Sequence, residues 1–308
     1  MADEYIYQSV TNNEKRNHFV EIKTNEKVIK SRIEYYPHSN LPKTLIKYYE
    51  CNQNNLNVLI EKRIWATNPL DFNDPYDCSP QLWEGQYFPF EEIKEWLKNV
   101  LIPEQVNFCK NINQLRELFF NTVKGIVGIY CLNENRSCDL FWAHYADNHQ
   151  GFQINFDQEK LNKYWKVEPL KIEYLEVEEL LKQRLILQEE YFVDSESFKN
   201  VFPRILRWIT IKKREWKYEN EWRYLFWVPP LDPNPDSRKQ KFPLNAIQSV
   251  TLGYKFFNNY KPEYLGNGTY KYTYISEDQF GIKTQNYSIE IIKCLQNNSM
   301  PLYQVALN

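Results

Sequence analysis

The twelve residues Trp216–Trp227, WKYENEWRYLFW, decide how this chain is read. From Glu219 onward the polar and apolar residues alternate, the signature of a β-strand whose successive side chains point to opposite faces. Glu219, Glu221, Arg223 and Leu225 fall on one side; Trp222, Tyr224, Phe226 and Val228 fall on the other. The second set marks a core face. The first is therefore expected to look out from the mouth of a sheet, carrying two carboxylates and a guanidinium together. An ordinary solvated strand end with a Glu/Arg pair has the same appearance and is worth only ~0–1 kcal/mol, so alternation alone leaves both readings open.

The segment before it sharpens the question. Phe198, Val201, Phe202, Ile205 and Ile209 recur at helical spacing, and three residues further the stripe meets Lys212, with Trp216 four beyond that. An ammonium on a buried stripe must snorkel to water or meet a carboxylate. Glu219 or Glu221 is the expected partner, as a structural ion pair or as part of a catalytic group. Earlier in the chain, WAHYADNH (142–149) predicts a helix with Trp142, Tyr145 and His149 on one stripe and His144 beside Tyr145. Two of the chain's four histidines stand here, which points to acid/base work near neutral pH. The cluster lacks the four ligands of a structural zinc site, and no metal is expected.

Outward from these motifs, LIKYY (45–49) reads as a strand, NLNVLIEKR (55–63) as a helix and IWAT (64–67) as a second strand. NPLDFNDPYD (68–77) has strong turn chemistry. Helices are predicted at 90–101, 103–123, about 177–192 and 195–214, and near 287–296. Strands are predicted at 125–133, 151–157, 166–175, 247–255 and the C-terminal MPLYQVAL. Strands and helices mix without a regular βαβ rhythm, which predicts an α+β protein rather than a doubly wound sheet. Residues 1–40 are weakly patterned and read as an N-terminal extension to a single domain over 41–308.

The wider composition narrows function. A formal net charge of −2 argues against general electrostatic gripping of nucleic acid. Among only 8 glycines there is neither GxGxxG nor GxxxxGK[ST], so the phosphate turns of dinucleotide-binding and P-loop folds are missing. The six cysteines form no CxxC pair and are expected to be reduced and structural. No apolar run approaches a membrane span and the N-terminus is polar, so a cytoplasmic protein is expected.

Taken in order, LIKYY, IWATNPLDFNDPYDC, GIYCLN, LFWAHYADNHQGFQINFD and KKREWKYENEWR resemble a bacterial family, domain of unknown function 2971, over roughly residues 42–305. The same order is similar to that of the ADP-ribosyltransferase fold, which implies a split antiparallel β-core flanked by helices, with NAD bound as substrate. On that resemblance Lys47, with Tyr48 beside it, takes the first-strand position that holds a phosphate or ribose oxygen. GIYCLN leads to Tyr145, which would stack on nicotinamide. Glu219-x-Glu221 resembles the terminal ExE element. Glu221 would stabilise the oxocarbenium-like state as the nicotinamide–ribose bond breaks, and Glu219 would orient or activate the acceptor. Lys47 departs from the usual His or Arg, and Trp222 and Arg223 are not part of the transferase pattern.

The resemblance implies an NAD-consuming bacterial transferase or glycohydrolase, of the toxin or anti-phage defence kind. Its partners would be NAD and a protein or nucleic-acid acceptor, with no membrane; a homo-oligomer stays open. The residues leave two alternatives. One is a nuclease or other hydrolase using His144, Glu221 and Lys212. The other is a non-catalytic sensor whose aromatic cleft binds a nucleotide or peptide. Arg223 either pairs with Glu221 or holds phosphate.

Overall fold

A computed structural model describes residues 5–12, 15–24, 27–35, 41–79, 89–101, 103–134, 138–181, 202–228, 235–256, 260–266, 269–274, 291, 293–295, 297–298 and 302–304. Most of the expected 177–192 helix, the first half of the 195–214 helix with Phe198 and Val201, and much of the 287–296 helix lie outside them. The mixture of helices and antiparallel strands is an α+β arrangement. Contacts divide the chain into two units: Met1–Leu41, Trp65–Cys131 and Trp165–Gln240 in the first, and Pro42–Ile64, Leu132–Tyr164 and Lys241–Asn308 in the second.

Residues 1–40, expected only as a weakly patterned extension, contain an antiparallel meander of β1 (Tyr5–Asn12), β2 (Lys15–Thr24) and β3 (Lys27–Tyr35). The next elements are β4 (Thr44–Tyr49), α1 (Gln53–Glu61) and β5 (Arg63–Trp65). Asn52 begins α1 by accepting the Asn55 amide at 3.0 Å, satisfying one of the first-turn N–H groups that have no helical partner.

In the first unit α2 (Phe90–Val100) has Glu91 and Glu92 in its first turn and Lys98 in its last, the arrangement that complements the helix dipole. The expected helix over 103–123 is two helices, α3 (Pro103–Asn107) and α4 (Ile112–Gly125). The break falls where Asn111 accepts the Gln114 amide at 3.0 Å, so an asparagine read as helix interior acts as a cap. Next comes β6 (Val127–Asn133), buried along nearly its whole length. Gly128 allows that strand to run close by: a Cβ there would lie 2.8 Å from the Ala66 Cβ.

The chain continues through α5 (Asp139–Tyr145), β7 (Phe152–Asp157), α6 (Gln158–Trp165), β8 (Leu170–Lys171), β9 (Glu173–Leu175) and α7 (Val177–Leu181). After α8 (Phe202–Ile209) follow β10 (Ile211–Lys213), a 3-10 turn at Arg214–Glu219 and β11 (Glu221–Trp227). Then come β12 (Lys239–Lys241), β13 (Ile247–Leu252), β14 (Tyr260–Gly266), β15 (Thr269–Tyr274) and β16 (Leu302–Gln304).

The first unit's core packs Ile93 and Leu97 of α2 and Leu115, Phe119 and Val123 of α4 with Ile205, Trp208 and Ile209 of α8 and Leu225 of β11. Each such buried side chain is worth about 1.5–3 kcal/mol relative to exposure. Trp208 also donates its indole N–H to the Ser79 carbonyl at 2.8 Å, so its polar atom is not stranded in the core. Strand β11 lies between β6 and β8. In the second unit β4 and β13 both pair antiparallel with β7, and β16 pairs parallel with β13.

Candidate functional site

The WKYENEWRYLFW segment departs from its expected form in two ways. Its first half is the 3-10 turn, and Asn220 at φ 43° reverses the chain into a strand beginning at Glu221, so Glu219 is not a strand residue. Moreover, both faces of β11 are buried: Glu221 is 4% and Arg223 0% exposed, against 1% for Trp222 and 0% for Tyr224. The expected outward-looking carboxylate face is enclosed.

Enclosure is sustained by complete pairing. Arg223 donates Nε to Glu221 Oε1 at 2.7 Å and Nη2 to Glu221 Oε2 at 3.3 Å. It also forks onto Asp77, with Nη1 to Oδ1 at 2.9 Å and Nη2 to Oδ2 at 2.5 Å, and its remaining Nη1 hydrogen goes to the Ile209 carbonyl at 2.8 Å. Every N–H of the guanidinium is used. Lys212 donates Nζ to Glu219 Oε2 at 2.6 Å and Glu221 Oε2 at 3.1 Å, and its Nζ lies 3.7 Å from Asp77 Oδ2 and 4.8 Å from the Trp216 ring centroid. Lys212 does not extend a helical stripe as expected. α8 ends at Ile209, and the lysine belongs to β10, whose parallel pairing sets it opposite Tyr174. The Tyr174 hydroxyl accepts the Glu221 backbone N–H at 2.8 Å.

Three buried carboxylates thus face two buried cations. Burial alone would raise the Glu221 pKa, but Arg223 and Lys212 outweigh it and hold the carboxyl well below the ordinary range. Burial likewise disfavours charge on Lys212 and Arg223. Glu221 above all for the lysine, and Asp77 then Glu221 for the arginine, raise both above their usual values. All three stay ionised at neutral pH. Glu221 also has a hydrogen bond with the Cys131 side chain, so its acceptor positions are taken. Asp77 escaped the sequence reading although it lies in the quoted FNDPYDC. The signal was a balance of charge: an arginine inside an aromatic strand needs more anion than one neighbouring glutamate supplies.

Lys47, Tyr48, His144 and Tyr145 belong to the second unit. Alternation in β4 separates the first two. Tyr48 shares a face with Ile46, while Lys47 shares the opposite face with Leu45 and Tyr49, so adjacent residues named for one ligand point to opposite sides of the sheet. Tyr48 stacks on Phe141 with centroids 5.2 Å apart and meets Trp142 edge-on at 5.0 Å. Burial raises its hydroxyl pKa above the ordinary value, so the group remains a neutral phenol. Tyr145 lies against Phe141 at 5.7 Å, and His144 is exposed, edge-on to Tyr145 at 6.3 Å.

His149 does not continue the helix. α5 stops at Tyr145, and Asp147, Asn148 and His149 follow at φ 47°, 50° and 70°. Successive left-handed residues cost roughly 1–2 kcal/mol each. The turn is tied by His149 N to Trp142 O at 3.1 Å and Gly151 N to Ala146 O at 2.8 Å. Glycine is required beside it, because a Cβ on Gly253 would stand 2.0 Å from the His149 carbonyl oxygen and one on Gly151 2.0 Å from that of Tyr49. The turn returns the His149 ring onto Trp142, stacked at 5.7 Å and 11°, and Tyr254 packs on its other contact at 4.4 Å. Burial lowers the His149 pKa, favouring the neutral imidazole.

Among the described residues, no group of three or more His, Cys, Asp or Glu side chains could hold a metal ion, and no helix is long and apolar enough to cross a membrane. The described cysteines are free thiols. No curated protein and no solved structure matches the chain. A family model described as a protein of unknown function (DUF2971) matches residues 141–224, the stretch from the helix of Trp142 to the strand of Glu221 and Arg223.

Proposed function

We propose that the protein cleaves the nicotinamide–ribose bond of NAD, with Glu221 as the carboxylate that stabilises the reaction's positive charge. The observation that carries this reading is an anionic Glu221 fixed in a dry environment, with Glu219 two residues before it on the same Lys212 ammonium. A group meant to donate a proton would need a raised pKa; stabilising an oxocarbenium-like ribose needs an ionised carboxylate, and Glu221 is held in that state. The C1′–N bond would break with its electron pair leaving on nicotinamide. Water, or the hydroxyl or amine of an acceptor, would form the new bond at C1′ and lose its proton toward Glu219 or solvent. The order of GIYCLN, Tyr145 and YENEWRY supports the reading through its likeness to the transferases.

A second reading has its own observation. The acceptor positions of Glu221 and every donor of Arg223 are engaged, which is what a purely structural keystone would show. Incubation with NAD while monitoring nicotinamide separates the two. On the enzymatic reading wild type releases nicotinamide, and Glu221→Gln loses at least a hundredfold in rate while a folded population persists. Silence of the wild type with NAD, alone and with cell-extract acceptors, would leave the keystone reading.

A further inference from the structure

The second unit carries buried polar groups that the charged network does not use. Directly opposed residues on antiparallel strands share a sheet face. Tyr48 is opposite Gln153, which is opposite Thr251; Ile46 is opposite both Asn155 and Asn133, and Asn155 is opposite Ser249. One face of β4, β7 and β13 is therefore unusually polar for a sheet interior. Asn155 donates to Ser249 Oγ at 2.8 Å, and Asn133 donates Nδ2 to the Ile46 carbonyl at 3.2 Å.

Three polar atoms on this face have no hydrogen-bond partner in the structure: the Tyr48 hydroxyl, Gln153 Oε1 and Asn133 Oδ1. Their residues are 4%, 4% and 5% exposed. An unsatisfied buried polar atom costs about 1–3 kcal/mol, so three in one place are a substantial stability cost for the bare fold to carry. The same strand face holds the ring set Tyr48, Phe141, Trp142, His149 and Tyr254, of which His149 and Tyr254 are only half-buried and so reach toward solvent. His149 Nδ1 likewise has no partner. The left-handed turn at 147–149 adds a strained backbone that delivers the His149 ring to this set.

We infer that this face of the second unit is a binding site for a nucleobase bearing an exocyclic amino group. Gln153 Oε1 and Asn133 Oδ1 accept from the amino edge, as amide side chains do when they read adenine. The Tyr48 hydroxyl donates to the neighbouring ring nitrogen, and the half-buried rings of His149 and Tyr254 supply the surface against which a flat base can stack. A base with a carbonyl in place of the amino group would set oxygen against oxygen and is rejected. The site rests on residues of the second unit alone and does not depend on NAD cleavage; the adenosine half of a dinucleotide and a free nucleoside or nucleotide are both sources of the ligand.

The test is calorimetric titration of the full chain with adenosine, cytidine, inosine, uridine and NAD. Adenosine or cytidine should bind saturably, and inosine and uridine at least tenfold more weakly. NAD binding alongside adenosine would assign the dinucleotide as a source, and adenosine binding without NAD binding the free nucleoside. Tyr48→Phe removes an unpartnered hydroxyl at nearly constant volume; it should melt no lower than wild type yet bind at least tenfold more weakly, a separation that a merely structural role would not produce. Gln153→Met removes the unpartnered Oε1 together with the Nε2 donor to Asn155 Oδ1 at 3.4 Å, and it too should bind at least tenfold more weakly. The inference is overturned if neither amino-bearing nucleoside binds saturably, which would leave ordered water only on the buried acceptors, or if inosine and uridine bind as well as their amino counterparts, or if affinity survives in both variants. Nucleoside binding without nicotinamide release would uphold this site while removing the NAD-cleavage reading.

Discussion

The two units treat buried polarity in opposite ways. Around Arg223 full charges are enclosed, and nearly every donor and acceptor meets another within the protein. Around Tyr48 the enclosed groups are neutral, and three of their oxygens meet nothing. The first arrangement is internally complete; the second needs something from outside. Net charge and exposure do not reveal that difference, since both sets are buried to a similar degree. Hydrogen-bond bookkeeping does.

The comparison can be broken most forcefully at Arg223. Arg223→Met leaves Asp77 and Glu221 enclosed without their fork and should cost ~3–5 kcal/mol in chemical denaturation, the range for a broken buried ion pair. Loss of less than 1 kcal/mol would show that the network is not the closed unit described. Arg223→Lys should recover only part, because an ammonium lacks the planar fork that spans two carboxylates.

Glu221→Gln should cost less, about 1.5–3 kcal/mol, since the amide keeps its shape but deprives two cations of an anion. Acid titration of the wild type probes the same group without mutation. The folded pKa of Glu221 lies below its unfolded value, so its contribution is fully present above ~pH 5 and is lost as pH falls from about 4 toward the folded pKa. Stability should therefore decline steeply with acidification below ~pH 4, and Glu221→Gln should flatten that decline. An equally steep acid limb in the variant would place the linkage elsewhere.

The smallest effects should come from the second unit. Tyr48→Phe removes a hydroxyl without a partner, and its unfolding free energy should stay within ~1 kcal/mol of wild type or rise. Asn148→Gly relieves one left-handed residue at a gain of up to about 1 kcal/mol, measured as a higher melting temperature. A drop of several degrees in Tyr48→Phe would show that its hydroxyl is satisfied after all, and the contrast between the units would fail; a drop in Asn148→Gly would show that the left-handed turn carries no strain.

Much of the fold was legible because it rests on local patterns. The strands at 44–49, 127–133, 152–157, 221–227 and 247–252 follow from β-branched and aromatic runs, and α2 follows from its three- and four-residue spacing. That Lys212 would meet Glu219 or Glu221 also followed from the cost of an unpaired buried ammonium, and it meets both. What could not be read was set by distant partners. Both faces of β11 are buried, the charged one against Ile209, Lys212 and the distant Asp77, so alternation suggested a solvated side that does not exist. Glu219 left the strand because Asn220 adopts a left-handed conformation, and a single asparagine gives no warning of that. The orphaned oxygens of Gln153 and Asn133 depend on which strands lie side by side, information absent from any one segment.

The fork between Arg223 and Asp77 joins positions 146 residues apart, and this has a kinetic consequence. Until the chain has closed that long interval, the guanidinium and its carboxylates keep their hydration, and nothing is gained by bringing any one of them inside. The network is thus expected to form late, after the local helices and hairpins, and to contribute little to the folding transition state. It would then act chiefly as a latch on the way out: Arg223→Met should accelerate unfolding in stopped-flow experiments far more than it slows refolding, so that the pairing at β11 governs how long the native state persists once made.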